Sequence, residues 1–178
     1  MIEVTVARLG LDSASNSYIV FLQEKDGVRF LPIWIGKPEA ESILIEVNAI
    51  HRERPLTHDL CKSLIIGLGA QLRRVHITKV QKSTYYAELQ LVRGDQAVHI
   101  DARPSDSIAI ALRFEAPIFA EESLLTSPVD DADEEEQGFV IPGADGEIVD
   151  GGREQLSAEQ LKAYLENLRP EDFGKFHP

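Results

Sequence analysis

Apolar and polar residues alternate through the first part of the chain at the period of β-strands. Residues 2–9, 17–24 and 28–35 alternate or run apolar and are rich in Val, Ile, Phe and Tyr, so each predicts a strand. Asp26-Gly27 supplies the turn between the second and third strands. After Gly36 the apolar spacing changes to that of a helix, with a stripe for the core at Ala40, Ile43, Leu44 and Val47.

The same order of elements returns in the second half of the chain. Three strands are predicted near 72–80, 84–92 and 96–101, followed by a helix at 104–114. In both halves a basic residue and a proline lead into the helix, as Lys37-Pro38 and Arg103-Pro104. The repeat of about 65 residues is too long for a solenoid and indicates an internal duplication of a β-β-β-α unit. The predicted fold class is therefore α+β, with a mixed or antiparallel sheet and packed helices.

A further helix is predicted between the two halves. Thr57 is its expected N-cap, and Gly67 and Gly69 mark its end. Cys61, the one cysteine of the chain, is interpreted as a small buried apolar residue, and it excludes an internal disulfide or a thiolate metal cluster. The helix carries its own apolar stripe at Leu60, Cys61, Leu64, Ile65 and Leu68.

The junction between the last predicted strand and its helix concentrates polar chemistry. Alternation places Val98 and Ile100 on one face of the strand and His99 and Asp101 on the other. The helix that follows is apolar on almost every face and is expected to be buried. Asp101, Arg103 and Asp106 therefore crowd a helix N-terminus, where free N–H groups and the positive end of the helix dipole favour anions.

Net charge divides the chain into two unequal parts. The whole chain carries a formal charge of −12, yet residues 1–120 are neutral, so all the excess acid lies in residues 121–178. A neutral body lacks the basic surface that is typical of tight nucleic-acid binding. The chain also shows no basic and apolar leader and no apolar run long enough to span a membrane, so we expect a soluble cytoplasmic protein without membrane contact.

The acidic third predicts a linker and a terminal helix. The run 130–136 is self-repelling, so residues 127–152 are expected to form an acidic, Gly-rich linker in which 138–152 form a loop or a weak hairpin. Within residues 153–178, Ser157 and Gln160 form a capping box, and Leu161, Leu165 and Leu168 form one apolar stripe. A tethered helix with one stripe is expected to dock, either on the domain of residues 1–126 or on another subunit.

Two motifs in order make the sequence similar to a known family. Arg54-Pro55-Leu56-Thr57-His58-Asp59-Leu60 and Asp101-Ala102-Arg103-Pro104-Ser105-Asp106, together with Gly36-Lys37-Pro38-Glu39-Ala40, closely resemble the bifunctional nuclease family over residues 1–125. One departure is Ser107, where the family usually has Ala. The resemblance implies a duplicated α+β domain, a homo-oligomer with a dimer favoured, and hydrolysis of RNA and DNA with little sequence preference.

The motif residues have plausible roles in phosphodiester hydrolysis. His58, Asp59, Asp101 and Asp106 are the candidate catalytic residues, with His58 as general acid or base near neutral pH. Asp59, Asp101 and Asp106 are also the candidate ligands for a divalent metal ion, the one cofactor that this chemistry would use. The candidate substrate-binding residues, two of which would clamp a phosphate through a guanidinium, are Arg54, Arg103 and Ser105.

The same residues have structural interpretations. Any acid at Asp106 is favoured by the helix dipole, by about 0.3–1 kcal/mol. Arg103 would pair with Asp101 or Asp59 to hold helix against sheet, and Thr57 with Asp59 forms an ordinary helix start. The alternative function is therefore a non-catalytic regulatory or binding module for an anionic ligand or a protein partner. The neutral body and the acidic tail favour this alternative, whereas the motifs favour a nuclease.

Overall fold

The computed structural model describes residues 1–12, 15, 17–127, 141–142 and 148–149. Its strands and helices, in chain order, are β1 (Ile2–Asp12), β2 (Ser17–Glu24), β3 (Phe30–Ile35), α1 (Lys37–Val47), α2 (Thr57–Gly67), β4 (Gln71–Gln81), β5 (Thr84–Arg93), β6 (Gln96–Ala102), α3 (Pro104–Phe114), β7 (Ile118–Ala120), β8 (Ile141–Pro142) and β9 (Ile148–Val149). A short 3-10 helix (Glu122–Leu124) follows β7.

Seven strands form one mixed sheet in the order β3-β2-β1-β7-β4-β5-β6. Each half of the chain contributes three consecutive antiparallel strands, and β7 joins the halves at the centre. Ile118 of β7 pairs with Val4 in antiparallel fashion and with Val75 in parallel fashion. The predicted α+β class is confirmed, and β7 is the element that makes the sheet mixed.

The three helices cover one face of this sheet. α3 contacts β4 and β5, α1 contacts β2 and α3, and α2 contacts α3 and β4. Inward-facing strand residues and the helices share one apolar core, whose fully buried members include Val20, Leu22, Ile43, Val75, Ile77 and Ile108. Because strand side chains alternate, the opposite face of the sheet is left to polar residues such as Glu88 and Gln90.

α3 is the central helix of this layer. It spans the predicted residues 104–114, with Pro104 in its first turn, and eight of its eleven residues are buried. α1 likewise carries a proline, Pro38, in its first turn, so the Lys/Arg-Pro repeat corresponds to two equivalent helix starts. α3 ends at Phe114, and the next residue, Glu115, adopts a left-handed conformation with φ of 52°.

α2 differs from the sequence-based prediction in two respects. Thr57 is not the N-cap but the first helical residue, and Leu56 precedes it in an extended conformation. The apolar stripe is also divided, because only Cys61 and Ile65 pack against the core. Leu60, Leu64 and Leu68 are exposed, since α2 lies at the side of the layer and contacts the body along one edge.

Smaller differences concern strand ends and the tail. β1 continues to Asp12, beyond the predicted residue 9, and β3 begins at Phe30 instead of residue 28. Of the predicted linker, the structure describes Ser127 and the two short strands β8 and β9, which pair antiparallel. The predicted terminal helix within 153–178 lies outside the described residues. In the described part of the chain, no helix is long and apolar enough to span a membrane.

Candidate functional site

A groove of about 590 Å³ opens where the N-termini of all three helices meet. Its walls include two residues from the start of each helix, namely Pro38 and Glu39 of α1, Leu56 and His58 at α2, and Arg103 and Asp106 at α3. The helix N-termini direct unpaired N–H groups and the positive ends of three helix dipoles toward this region. The two sequence motifs, which are far apart along the chain, thus meet at one groove.

A continuous chain of polar contacts crosses the groove. The hydroxyl of Ser42 lies 2.7 Å from Nδ1 of His58, and Nε2 of the same ring lies 3.1 Å from Oδ1 of Asp106. Arg103 donates to both carboxylate oxygens of Asp106, through Nε at 2.7 Å and Nη2 at 3.1 Å. Nη2 of Arg103 also donates to Oε1 of Glu39 at 2.6 Å, which ties α3 to α1.

Exposure rises from Ser42 to Arg103 along this chain of contacts. Ser42 is 5% exposed, whereas the side chains of His58, Asp106 and Arg103 are 12%, 28% and 66% exposed. Between these two residues, the Ser42 hydroxyl is therefore the buried end of the contacts, and the Arg103 guanidinium is the solvent-exposed end. A ligand entering from solvent meets Arg103 first, Asp106 next and His58 behind it.

The electrostatics of the groove keep Asp106 ionised. Burial raises the pKa of this carboxyl, but hydrogen bonds from Arg103 and His58 lower it by more, so the pKa of Asp106 lies below its ordinary value. The same contact with Asp106 raises the pKa of Arg103. An ionised carboxylate only accepts hydrogen bonds, so Nε2 of His58 carries a proton in this arrangement.

Asp59 belongs to a second, structural network. Its Oδ2 accepts the backbone N–H of Leu56 at 2.8 Å, which caps the start of α2. Its Oδ1 accepts Nε of Arg113 at 2.6 Å, and the side chain of Arg113 is only 2% exposed. Arg113 also donates to the carbonyls of Ala109 and Ser42. Both oxygens of Asp59 are thus occupied, one in capping α2 and the other in joining α2 to Arg113 of α3, which in turn contacts α1.

Three other residues from the motifs lie outside this groove. Asp101 is exposed on β6 directly opposite Glu88, on the face of the sheet away from the helices, because its neighbour Ala102 packs inward. Arg54 is exposed in the connection before α2 and does not line the groove. Ser105 is buried in the first turn of α3. Their assignment to the site stays a prediction from the sequence.

The candidate metal ligands are not brought together. Asp59 is bound to Arg113, Asp106 is bound to Arg103, and Asp101 lies on the other side of the sheet. Among the described residues, no group of three or more His, Cys, Asp or Glu side chains is placed to hold a metal ion. The residues present therefore do not fit a carboxylate metal centre of the predicted composition.

Sequence reasoning missed three residues that the structure places in or behind the groove. Glu39 and Ser42 lie on α1, and Arg113 lies at the end of α3. A signal existed for one of them, because Arg113 is a charge on a helix with almost no polar face. Ser42 lies about 200° around α1 from Ala40, outside the predicted apolar stripe, and carried no such signal. The pattern at Arg113 indicates a buried polar contact whose partner only the tertiary structure identifies.

Comparison with known proteins decides the family. The model of the bifunctional nuclease domain matches residues 20–130, more than half of the chain. The chain belongs to the bifunctional nuclease domain family. The matched residues contain the whole groove and both motifs.

Relatives fall into two groups. An uncharacterized protein of Mycobacterium tuberculosis is 38% identical over 171 residues, which cover 96% of this chain and 97% of that protein. Bifunctional nuclease 2 of Oryza sativa subsp. japonica is 32% identical over 119 residues, or 65% of this chain and 37% of the rice protein. Bifunctional nuclease 2 of Arabidopsis thaliana is 32% identical over 59% of this chain and 33% of that protein. The bacterial match extends into the tail, whereas the plant matches cover a shorter part of the chain.

Proposed function

We propose that the protein is a nuclease that hydrolyses phosphodiester bonds of RNA and DNA with little sequence preference. The observation that carries the proposal is the position of Arg103. This guanidinium is the most exposed member of the polar chain, and it lies at a groove that three helix N-termini face. A phosphodiester is the kind of anion that such an arrangement binds. Membership in the bifunctional nuclease domain family supports the same substrate class.

In the proposed reaction, two phosphate oxygens replace Asp106 and Glu39 as the partners of Arg103. The freed carboxylate of Asp106 accepts a proton from the attacking water while the new P–O bond forms. His58, in its imidazolium form, gives its Nε2 proton to the leaving oxygen as the old P–O bond breaks. Asp106 then returns its proton to Nε2 across their 3.1 Å contact, which restores the starting state.

Ser42 is a positioning residue in this scheme. Its buried hydroxyl accepts a hydrogen bond from the Nδ1–H group of His58, both in the cationic ring and in the neutral ring that remains after Nε2 has given up its proton. The ring therefore keeps one orientation through the proton cycle. Arg103 neutralises the charge that develops on the phosphate. No step is assigned to a metal ion, and the requirement for one stays a prediction from the sequence.

The test uses the purified full chain with fluorescent single-stranded RNA and DNA. H58N and D106N are expected to lower the hydrolysis rate about 10²–10³-fold, the usual size of a lost proton-transfer or charge-stabilising group. R103A should raise KM and lower kcat, and R103K should restore only part of the activity because lysine lacks the bidentate geometry. Assays in Mg²⁺ and in EDTA test the metal requirement.

Two control variants test whether a loss of activity is specific to the groove. R93A removes an exposed arginine at the end of β5 and matches the charge change of R103A, so its activity should equal that of the wild type. D101N tests the one catalytic candidate on the opposite face, and its location predicts no loss. If H58N, D106N and R103A all keep wild-type activity, the groove is not a nuclease site.

The acidic walls of the groove favour a second candidate function. The groove is lined by one arginine and by the three carboxylates of Glu39, Glu41 and Asp106, so an anionic substrate enters against local negative charge. A non-catalytic module that binds an anionic ligand or a protein partner would need no turnover here. Binding of RNA that depends on Arg103, without hydrolysis in any buffer, would support this alternative. A homo-oligomeric state, with a dimer favoured, and a cytoplasmic location stay predictions, and sedimentation measurements test the first.

A further inference from the structure

One face of α2 has no partner among the described residues. Leu60 and Leu64 lie on one stripe of α2, and Leu56 and Leu68, at the same interval of four, lie directly before and after the helix. In chain order, from Leu56 to Leu68, they are 40%, 52%, 54% and 69% exposed. We call these four residues the α2 leucine stripe.

The stripe is not the side by which α2 joins the domain. Cys61 and Ile65 pack against the core, each one residue and so about 100° around the helix from Leu60 and Leu64. Lys62 anchors the same helix by donating to the carbonyl of Arg113 at 2.5 Å. α2 is thus apolar on two sides, of which the body covers one. A contiguous row of exposed leucines marks a surface that another apolar surface covers.

The sequence of the tail supplies a matching surface. Residues 157–169 are predicted to form a helix with a capping box and a single apolar stripe, formed by Leu161, Leu165 and Leu168. Such a helix is not stable alone in water, because most helical stability comes from packing the apolar face. The Mycobacterium tuberculosis relative matches nearly the whole chain, so its similarity extends over this segment too.

The length of the intervening chain permits the contact. The body ends at Ser127, next to Thr126, which pairs with Phe30 of β3. Between Ser127 and Leu156 lie 28 residues. They include β8, which contacts β1, and its partner β9, so the last described residue before the tail is Val149. The seven residues between Val149 and Ser157 reach at most about 25 Å when fully extended, which is comparable with the diameter of the domain.

We propose that the tail helix of residues 157–169 docks on the α2 leucine stripe of its own chain. The tether decides between this occupant and a second copy of the protein. A short covalent tether gives an attached segment a local concentration on the order of millimolar, whereas a second copy is present at far lower concentration. Leu56 and Leu60 also line the groove, so the docked helix lies along its apolar rim.

Hydrogen exchange of the full-length protein, followed by mass spectrometry, tests the proposal. The amides of residues 157–169 should exchange at least tenfold more slowly than in an unstructured chain, to the same degree at every protein concentration. The double variant L60S/L64S should abolish this protection. V28S/V80S, which removes two exposed valines elsewhere in the body, should leave it unchanged. L161S/L165S should in turn speed exchange in α2.

Either of two kinds of result would overturn the proposal. Tail amides that exchange freely in the wild type, or protection that survives L60S/L64S, show that the tail does not occupy the stripe. A concentration-dependent dimer that L60S/L64S abolishes and L161S/L165S leaves intact assigns the stripe to a second copy. Circular dichroism confirms that each variant is folded, and because all substituted residues of the body are exposed, the core is untouched.

Discussion

At the scale of single residues, adjacent positions of one motif have different roles. His58 faces the groove and contacts Asp106, whereas Asp59 faces away from it and holds Arg113. The helical rotation of about 100° per residue separates them, so sequence proximity alone does not make both of them site residues. The motif thus places His58, which faces the groove, next to Asp59, whose contact with Arg113 holds the helix that carries both residues.

The variant D59N tests this separation. Burial raises the pKa of Asp59, but bonds from Leu56 and Arg113 lower it by more, so its pKa lies below the ordinary value of 3.8. A lowered pKa means that the carboxylate stabilises the fold above that value and loses the effect as pH falls. At pH 7, D59N should therefore lower the free energy of unfolding by roughly 2–3 kcal/mol, because the charge of Arg113 stays buried.

Urea denaturation at several pH values measures this effect. The difference between wild type and D59N should be full at pH 7 and shrink below pH 4, while kcat of the folded variant stays near that of the wild type. E46Q is the matched control, since Glu46 lies 4.0 Å from the same guanidinium but is more exposed. Loss of activity in fully folded D59N would place Asp59 among the catalytic residues.

At the scale of elements, the local sequence predicted where a helix begins and ends better than it predicted what the helix packs against. The limits of α3 were predicted correctly because proline and the apolar run act within the segment itself. The exposure of the leucines of the predicted α2 stripe was not predicted, because an apolar stripe indicates that a helix packs against something and does not identify its partner. Both α2 and α3 are apolar, yet only α3 lies at the centre of the layer.

The C-terminal end of α3 contains a testable local strain. Glu115 has φ of 52°, a conformation that glycine adopts without steric cost, and it places a negative charge at the negative end of the helix dipole. E115G should raise the free energy of unfolding by about 0.5–1 kcal/mol. E115A is the control, because it removes the charge and keeps the strained backbone. Equal stability of the two variants would show that conformation contributes nothing.

At the scale of the whole molecule, the duplicated halves share a single short strand. β7 has three residues, and its Ile118 lies between Val4 of the first half and Val75 of the second. α1 and α3 also pack on each other across the halves. These contacts indicate that the two halves unfold as one unit, although each resembles the other in order of elements.

The variant I118A tests this cooperativity. Ile118 is 4% exposed, and truncation of such a residue costs about 2–5 kcal/mol. Trp34 on β3 is the one tryptophan of the chain, so its fluorescence reports on the first half, while far-ultraviolet circular dichroism reports on both. Both signals should shift together in urea, as a two-state transition requires. I100A, at an exposed position of β6, should change stability by less than about 1 kcal/mol.

The sequence by itself determined the order of elements, the duplication and the two polar motifs. Strand alternation, helical spacing, prolines and turns act over a few residues, so they are readable without knowledge of the fold. Two long motifs in order also identified the family, which the domain match confirms.

Only the tertiary structure decided which polar residues meet. It brings Ser42, His58, Asp106, Arg103 and Glu39 together from three helices, and it separates Asp101 from Asp106 by the thickness of the sheet. Local patterns show that a side chain is polar or apolar, but partner distances depend on how helices pack across the sheet. The chemistry of the groove is a property of that packing, and of the residues that take part only His58, Asp106 and Arg103 were marked as site candidates by the motifs.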